Sequence, residues 1–165
     1  MKIRIVYGSS TGNTEAAARH LTQLMPGAEL LEVSNAQTAD FEGCDLLVLG
    51  TSTWGLGELQ HDWDAALENL RGARLHGSAV ALFGLGDQAS YPSTFVDGLR
   101  PLGDAASEAG ARLIGRWPAA DYDFQDSAAL DGEQLIGLAL DEENQSDMSR
   151  TRLQQWAEQL LDELR

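Results

Sequence analysis

The amino-acid sequence predicts a doubly wound α/β fold, in which helices cover both faces of a five-stranded parallel sheet. Apolar runs of strand length alternate along the chain with segments whose apolar residues recur at helical spacing. Clusters of glycine and small polar residues follow several of these runs, as expected for loops at the carboxyl edge of such a sheet. The 165 residues, 43% apolar and 22% charged, match one compact globular domain.

The first half of the chain supplies three strands and two helices. The predicted strands are 3–7, 30–33 and 46–49, and the predicted helices are 13–25 and 59–70. Pro26 and Gly27 end the first helix, because proline cannot continue a helix and glycine favours its C-terminal cap. Trp63, Leu67 and Leu70 recur at i, i+4 and i+7, which is the spacing of a buried helical stripe.

The second half completes the sheet and adds two helices. The predicted strands are 79–83, 113–114 and 135–140, and the predicted helices are 93–109 and 149–164. Pro101 lacks a backbone donor, so we expect it to kink or split the third helix. Leu153, Trp156 and Leu160 lie on the core face of the last helix. The runs 113–114 and 135–140 are separated by a polar stretch, which predicts an interrupted fifth strand.

Charge and composition exclude several classes of partner. The chain has 26 acidic and 11 basic side chains, a formal charge of -15, so its field repels nucleic acid and anionic membranes and attracts basic surfaces. No apolar run approaches the ~20 residues needed to span a bilayer, and no secretory signal pattern opens the chain. Cys44 is the single cysteine and cannot form an internal disulfide. We therefore expect a cytoplasmic protein.

A block of small polar residues lies between the first strand and the first helix. Its members are Ser9, Ser10, Thr11, Gly12, Asn13 and Thr14. The first backbone N–H groups of a helix have no intrahelical acceptor, and the helix dipole favours negative charge there, so the block suits a phosphate group. Thr11 or Asn13 could instead merely cap the helix, but a cap needs only one such residue. The block lacks the lysine of a nucleotide triphosphatase loop.

Two aromatic residues follow neighbouring strands. Trp54 comes after the third strand and Tyr91 after the fourth, each in a loop with a polar sequence around it. Ligands of open parallel sheets bind beyond the carboxyl ends of the strands, so both aromatics should lie at one crevice and could hold a flat ring between them. A single loop tryptophan more often covers a core edge, but this alternative is weaker when a second aromatic and a phosphate-type loop converge.

Four segments together resemble a flavodoxin of the long-chain kind: GSSTGNTE, LGTSTWGLGELQHDW, FGLGDQASYPSTFVD and GLALDEENQSD. The resemblance implies a flavodoxin-like sheet of order 2-1-3-4-5 in a single domain, 1–165, with the long-chain insertion at about 118–138. It implies that Ser9 to Thr14 hold the phosphate of FMN and that Trp54 and Tyr91 enclose its isoalloxazine ring. The ring edges would be lined by Thr53, Gly55, Leu56, Gly57, Leu85, Gly86 and Asp87, with Glu143 nearby.

The resemblance also implies the function. The chain would be a low-potential one-electron carrier with non-covalently bound FMN, a monomer that passes electrons from a basic reductase, such as a flavodoxin/ferredoxin-NADP reductase, to redox enzymes. Negative charge from Asp87 and the whole domain would oppose reduction of the ring. The peptide after Gly55 would rotate on reduction to offer its carbonyl, and glycine makes this rotation easy. His20, His61 and His76 are scattered, so no acid/base pair favours an enzyme.

Three alternatives stay open at this stage. An FMN-dependent NAD(P)H:quinone reductase would need room for substrate over the ring, whereas Trp54 and Tyr91 are expected to close both faces. A phosphorylation-dependent receiver would need an aspartate after the third strand, where this chain has Gly50 and Thr51. A binding module without cofactor could keep the same fold.

Overall fold

The computed structural model describes residues 1–165 and contains ten β-strands and four α-helices. The strands are β1 (Ile3–Tyr7), β2 (Glu29–Glu32), β3 (Leu46–Trp54), β4 (Glu58–Leu59), β5 (Ala79–Leu85), β6 (Arg112–Ile114), β7 (Trp117–Pro118), β8 (Leu130–Asp131), β9 (Gln134–Leu135) and β10 (Leu138–Leu140). The helices are α1 (Asn13–Leu24), α2 (His61–Arg71), α3 (Leu99–Glu108) and α4 (Ser149–Glu163). None of them combines the length and the apolar character that crossing a membrane requires.

The main sheet is parallel and has the predicted order. β2, β1, β3 and β5 are hydrogen-bonded neighbours in that sequence. The fifth position is shared by two short strands: β6 pairs with the first part of β5, at Ala79 to Ala81, and β10 pairs with its last part, at Phe83 to Leu85. The predicted order 2-1-3-4-5 with helices on both faces is therefore confirmed.

Alternate strand residues divide the core into two clusters, one on each face of the sheet. The first contains Trp63 of α2 and Phe95, and packs α2 and α3 against the sheet. The second contains Phe83 and Trp156, and packs α1 and α4 against the other face. Both tryptophans are fully buried, and the ring of Trp156 lies 6.1 Å from that of Phe83. Each such burial contributes a few kcal/mol, which makes these helices the main support of the sheet.

A second, small sheet lies between the two parts of the fifth position. β7, β9 and β8 form it with antiparallel pairing. The sequence predicts one strand over 135–140, and this prediction is wrong. Leu135 belongs to β9, and only Leu138–Leu140 pairs with β5. Gly137 lies between them, where a β-carbon would come within 2.2 Å of the carbonyl oxygen of Leu82. Only glycine allows so close an approach to β5.

Two helix starts differ from the predicted ones. α2 begins at His61 and not at residue 59, because the third strand runs on to Trp54 and turns back through β4. α3 begins at Leu99 and not at residue 93, which places Pro101 in its first turn. The first-turn N–H groups have no intrahelical acceptor, so Pro101 costs no hydrogen bond, and α3 runs unbroken from Leu99 to Glu108.

Candidate cofactor-binding site

A cleft opens at the carboxyl edge of the sheet, where four loops meet. These loops follow β1, β3, β5 and β10. The residues that line it are Thr11, Asn13, Thr14, Ser52, Thr53, Trp54, Gly55, Leu85, Gly86, Asp87, Tyr91, Glu142 and Glu143. Three of these side chains are acidic and none is basic, so the cleft carries negative charge at neutral pH.

The loop between β1 and α1, residues 8–14, presents free backbone donors. The N–H groups of residues 9–11 and 13–15 donate no hydrogen bond within the chain. Gly12 has φ +97°, a left-handed conformation that glycine adopts without strain, and its N–H donates to Ser9 Oγ at 3.0 Å. Ser10, Thr11 and Asn13 are exposed. We call residues 8–14 the phosphate loop, because such a cluster of donors can bind a dianion without a cation.

Trp54 forms one wall of the cleft from the end of β3. Trp54 keeps 39% of its surface exposed, and it belongs to neither core cluster. The indole Nε1 donates to Ser52 Oγ at 2.8 Å and so fixes the ring. The chain then turns sharply, with the N–H of Gly57 donating to the carbonyl of Trp54. Gly55 and Gly57 both have positive φ, +52° and +95°, which the reversal into β4 requires.

Tyr91 stands on the loop after β5 and is 46% exposed. This loop is closed by Asp87, whose Oδ1 accepts from the N–H groups of Ala89 at 3.1 Å and Ser90 at 2.9 Å. These bonds, above all the one from Ser90, lower the pKa of the Asp87 carboxyl. Asp87 is therefore a carboxylate at neutral pH, and its charge lies at the cleft.

A buried carboxylate supports the Tyr91 loop from below. Asp141 is fully buried, and its Oδ2 accepts from the backbone N–H of Gln88 at 3.0 Å and from Gln88 Nε2 at 2.7 Å. Asn144 donates to both oxygens of Asp141 and also, at 2.8 Å, to Oδ1 of Asp87. We call these four residues the Asp141 network. It joins the loop after β5 to the loop after β10.

Comparison with known proteins identifies the chain. The family model described as Flavodoxin matches residues 5–156, nearly the whole chain. The chain belongs to the flavodoxin family. It is 41% identical over 169 residues to flavodoxin 2 of Escherichia coli (strain K12), covering 99% of this chain and 97% of that relative. It is 38% identical over 165 residues to a flavodoxin of Synechococcus elongatus, covering 98% and 97%. Both relatives match this flavodoxin from end to end.

A solved structure resembles this flavodoxin closely in fold. The crystal structure of Fusobacterium nucleatum flavodoxin bound to flavin mononucleotide superimposes with a TM-score of 0.94. The two chains are 26% identical, and the alignment covers 99% of each. The fold is therefore that of an FMN-bound flavodoxin at low sequence identity.

The cleft of this flavodoxin brings together most, but not all, of the residues that the sequence singles out. Thr11, Asn13, Thr14, Thr53, Trp54, Gly55, Leu85, Gly86, Asp87, Tyr91 and Glu143 line it. Ser9 and Gly12 bond to each other beside it, and Ser10 lies in an adjoining depression with Trp54. Leu56 stands at the tip of its turn with 86% of its surface exposed. Gly57 faces away from the cleft, because Asp97 packs against it.

Sequence reasoning missed several residues of this flavodoxin. Ser52 and Glu142 line the cleft, and Asp141, Gln88 and Asn144 hold its loops. Gln60 is also missing from the prediction, although it is buried behind the phosphate loop and bonds to Ser10. These side chains act on backbone groups of distant segments, so no local spacing pattern reveals them. The polar segment DEEN after the apolar run 135–140 was the available clue.

Proposed function

We propose that this flavodoxin is a low-potential one-electron carrier that binds FMN non-covalently in the cleft. The observation that carries the proposal is the convergence of two chemistries at one sheet edge. Free backbone donors of the phosphate loop suit a phosphate monoester, and the exposed rings of Trp54 and Tyr91 suit a flat aromatic ring. It is an electron-transfer protein and not an enzyme.

The cleft offers FMN a cluster of hydrogen-bond donors for its phosphate and two aromatic walls for its ring. Residues 9–14 would hold the phosphate, and Trp54 and Tyr91 would enclose the isoalloxazine ring. The ring edges would be lined by Thr53, Gly55, Leu85, Gly86 and Asp87, with Glu143 at the rim. Leu56 and Gly57, also expected there from the sequence, lie outside the lining of the cleft. FMN supplies reversible one-electron chemistry when it is bound, since it accepts electrons singly or in pairs.

The chain sets the potential chiefly through charge. Asp87, Glu142 and Glu143 surround the cleft without a basic partner in its lining. Two unit charges ~4 Å apart repel by about 4 kcal/mol at an effective dielectric constant of ~20, and by less at greater separation. The carboxylates therefore oppose the arrival of negative charge in the cleft, which makes the reduced protein a strong reductant. For a one-electron couple ~59 mV is a tenfold change in the equilibrium constant, so partial repulsion is already effective.

Gly55 supplies the backbone freedom next to the ring. Its φ of +52° is accessible to glycine without strain, and a β-carbon there would approach nothing closer than 3.7 Å, from Glu58. Glycine at this position allows the backbone conformations that a rotation of its carbonyl requires. We infer that this carbonyl accepts a hydrogen bond from the ring in one redox state only.

The surface around the cleft suits basic redox partners. The net charge of -15 steers basic proteins toward it, and Leu56, Trp54 and Tyr91 offer apolar contacts at the centre. The partner class is a flavodoxin/ferredoxin-NADP reductase and the acceptor enzymes, reached by a monomeric, cytoplasmic carrier. Association should be fast and salt-sensitive.

The subtype is that of a long-chain flavodoxin with a single domain, 1–165. The support for this assignment is the small sheet of β7, β8 and β9, which lies within the proposed insertion at about 118–138 and separates β6 from β10.

Purification followed by ligand titration tests the function. Apoprotein should take up FMN with quenching of flavin fluorescence and bind riboflavin far more weakly, because riboflavin lacks the phosphate. Anaerobic potentiometry should then resolve two one-electron steps with the second strongly negative. A chain that takes up no FMN would be a binding module, and steady NAD(P)H oxidation by the isolated protein would indicate a reductase.

A further inference from the structure

Gln60 lies behind the phosphate loop, immediately before α2, and only 1% of its surface is exposed. Its Oε1 accepts hydrogen bonds from the backbone N–H groups of Asp62 at 3.0 Å and Trp63 at 3.2 Å. Backbone N–H groups can only donate, so the oxygen of the amide must face them. The Nε2 group is therefore left to bond elsewhere, and one of its partners is Ser10 of the phosphate loop.

The orientation of Gln60 determines the polarity of Ser10. Gln60 Nε2 donates to Ser10 Oγ at 3.1 Å and to Asp62 Oδ2 at 3.1 Å, so both of its hydrogens are used. Ser10 makes no other side-chain hydrogen bond. A hydroxyl that accepts from an amide keeps its own proton to donate elsewhere.

We infer that Gln60 is a positioning residue that turns the hydroxyl of Ser10 into a donor toward the phosphate group of FMN. The inference rests on the proposed function and extends it to phosphate specificity. A phosphate dianion offers only acceptors, so each hydroxyl of the loop contributes when its proton points outward. The phosphate loop contains no lysine or arginine, and correct hydroxyl polarity replaces part of the missing positive charge.

Two substitutions at Gln60 separate this role from a structural one. Gln60→Glu keeps an oxygen for the N–H groups of Asp62 and Trp63, but its second oxygen accepts the proton of Ser10. That oxygen also replaces the donor to Asp62 Oδ2, so the variant adds like-charge repulsion there. Gln60→Met removes all four hydrogen bonds of the amide and leaves Ser10 free to donate to the phosphate. If the inference is right, Gln60→Glu weakens FMN binding more than Gln60→Met does. The cap of α2 is a separate matter: Gln60→Met removes it, so this variant should lower the apoprotein's urea midpoint more than Gln60→Glu does.

The measurement is the ratio of riboflavin to FMN dissociation constants, determined by fluorescence titration of each apoprotein. Gln60→Glu should lower this ratio by roughly 10- to 100-fold, as loss of a hydrogen bond to a charged group does, while riboflavin binding stays unchanged. His61→Glu adds the same charge at the neighbouring exposed position, on the depression that Ser10 also lines, and it controls for repulsion because His61 makes no hydrogen bond with Ser10. Its effect should be smaller and should vanish at high salt.

A double-mutant cycle with Ser10→Ala completes the test. Once Ser10 is alanine, Gln60→Glu should lower the ratio no further than His61→Glu does. Equal losses for FMN and riboflavin, a larger loss for Met than for Glu, or an undiminished effect of Gln60→Glu in the Ser10→Ala background would each overturn the inference. The ratio for the wild-type protein tests the proposed function separately. If the wild-type protein does not prefer FMN to riboflavin, the proposed phosphate site, and with it the proposed function, is wrong.

Discussion

The two sides of the cleft use hydrogen-bond donors in opposite ways. In the phosphate loop the N–H groups of residues 9–11 and 13–15 donate no hydrogen bond within the chain, and most of the loop is exposed. On the other side, the donors of the Asp141 network are satisfied by the buried carboxylate of Asp141 and by Asp87. The donors of the phosphate loop are therefore available to a ligand, whereas those of the Asp141 network are already bonded within the protein.

Because of this difference, the phosphate loop should govern cofactor affinity, and the Asp141 network should govern how well the site is ordered before binding. Free donors contribute binding energy only when an anion reaches them, so the phosphate loop should govern how tightly the cofactor is held. A satisfied network fixes the position of Tyr91 in advance, which reduces the entropy lost on binding. Damage to the first side should therefore reduce affinity, and damage to the second should first reduce stability.

The largest expected effect is protection of the phosphate loop by FMN. With free FMN at 1,000 times its dissociation constant, binding stabilises the bound form by about 4 kcal/mol. We expect hydrogen exchange of the amides at 9–15 to slow by roughly a thousandfold, because exchange then requires release of the ligand. The amides of Gln88 and Asn144, which are already bonded to Asp141, should change much less.

Hydrogen-exchange mass spectrometry of apoprotein and FMN-bound protein makes this comparison peptide by peptide. Apoprotein with riboflavin is the control, since it fills the ring site without the phosphate. Equal protection of both sides by FMN would contradict the distinction between them.

The second largest effect should come from Asp141→Asn. The new amide presents a donor in place of one carboxylate oxygen, so it faces the N–H donors of Gln88 or Asn144. A buried donor left without an acceptor costs about 1–3 kcal/mol, and the lost charge-assisted bond adds to this cost. We expect about 3 kcal/mol lower stability of the apoprotein in urea. Asp147→Asn is the matched control, because Asp147 is exposed and makes no side-chain hydrogen bond.

Gly12→Ala should have a smaller effect of a different kind. A β-carbon at Gly12 meets no atom within 4 Å, so the cost arises only from the φ of +97°. A left-handed conformation costs a non-glycine residue about 1–2 kcal/mol. Relief of this strain moves the loop, so FMN affinity should fall while riboflavin affinity stays.

Gly77→Ala is the matched control for this substitution. Gly77 has φ +86° and equally open surroundings, but it lies just before β5, at the amino edge of the sheet. The free energy of unfolding of Gly77→Ala should fall by the same amount as that of Gly12→Ala, without any change in FMN affinity. Parallel urea unfolding and FMN titrations of both variants make the test, and a loss of affinity in Gly77→Ala would contradict it.

The sequence predicts the framework well because each main strand and helix has a local pattern. The buried stripe of α2 and the alternation of strands and helices follow from spacing, and the phosphate loop and the two aromatics follow from their places after strands. The predicted start of α3, at residue 93, is wrong because nothing in the sequence of 93–98 rules out a helix. In the structure this segment forms turns, with Val96 at φ +48°.

The Asp141 network could not be predicted from spacing for a different reason. Asp141 and Gln88 are 53 residues apart, and their bond exists only because β10 pairs with the end of β5. An aspartate after a strand normally faces water, so nothing local marks this one as fully buried. Gln60 is similar, since its partner Ser10 is 50 residues away. Long-range polar contacts of this kind need the topology first.

The smallest expected effect concerns Asp87, which joins the Asp141 network to the charge of the cleft. Its pKa is lowered below the ordinary value of 3.8 by the bonds from Ser90, Asn144 and Ala89. A lowered folded-state pKa stabilises the protein above the unfolded pKa, and this contribution is lost as the pH falls through the folded value. The Tyr91 loop should therefore loosen only below about pH 3.8, by less than ~1 kcal/mol, because the group is largely solvated.

NMR titration of the Ala89 and Ser90 amides measures this loosening. Asp87→Asn retains an acceptor for both amides but cannot titrate, so its amide shifts should show no transition there. A transition of equal size in the variant would show that the pH response of this loop does not arise from Asp87.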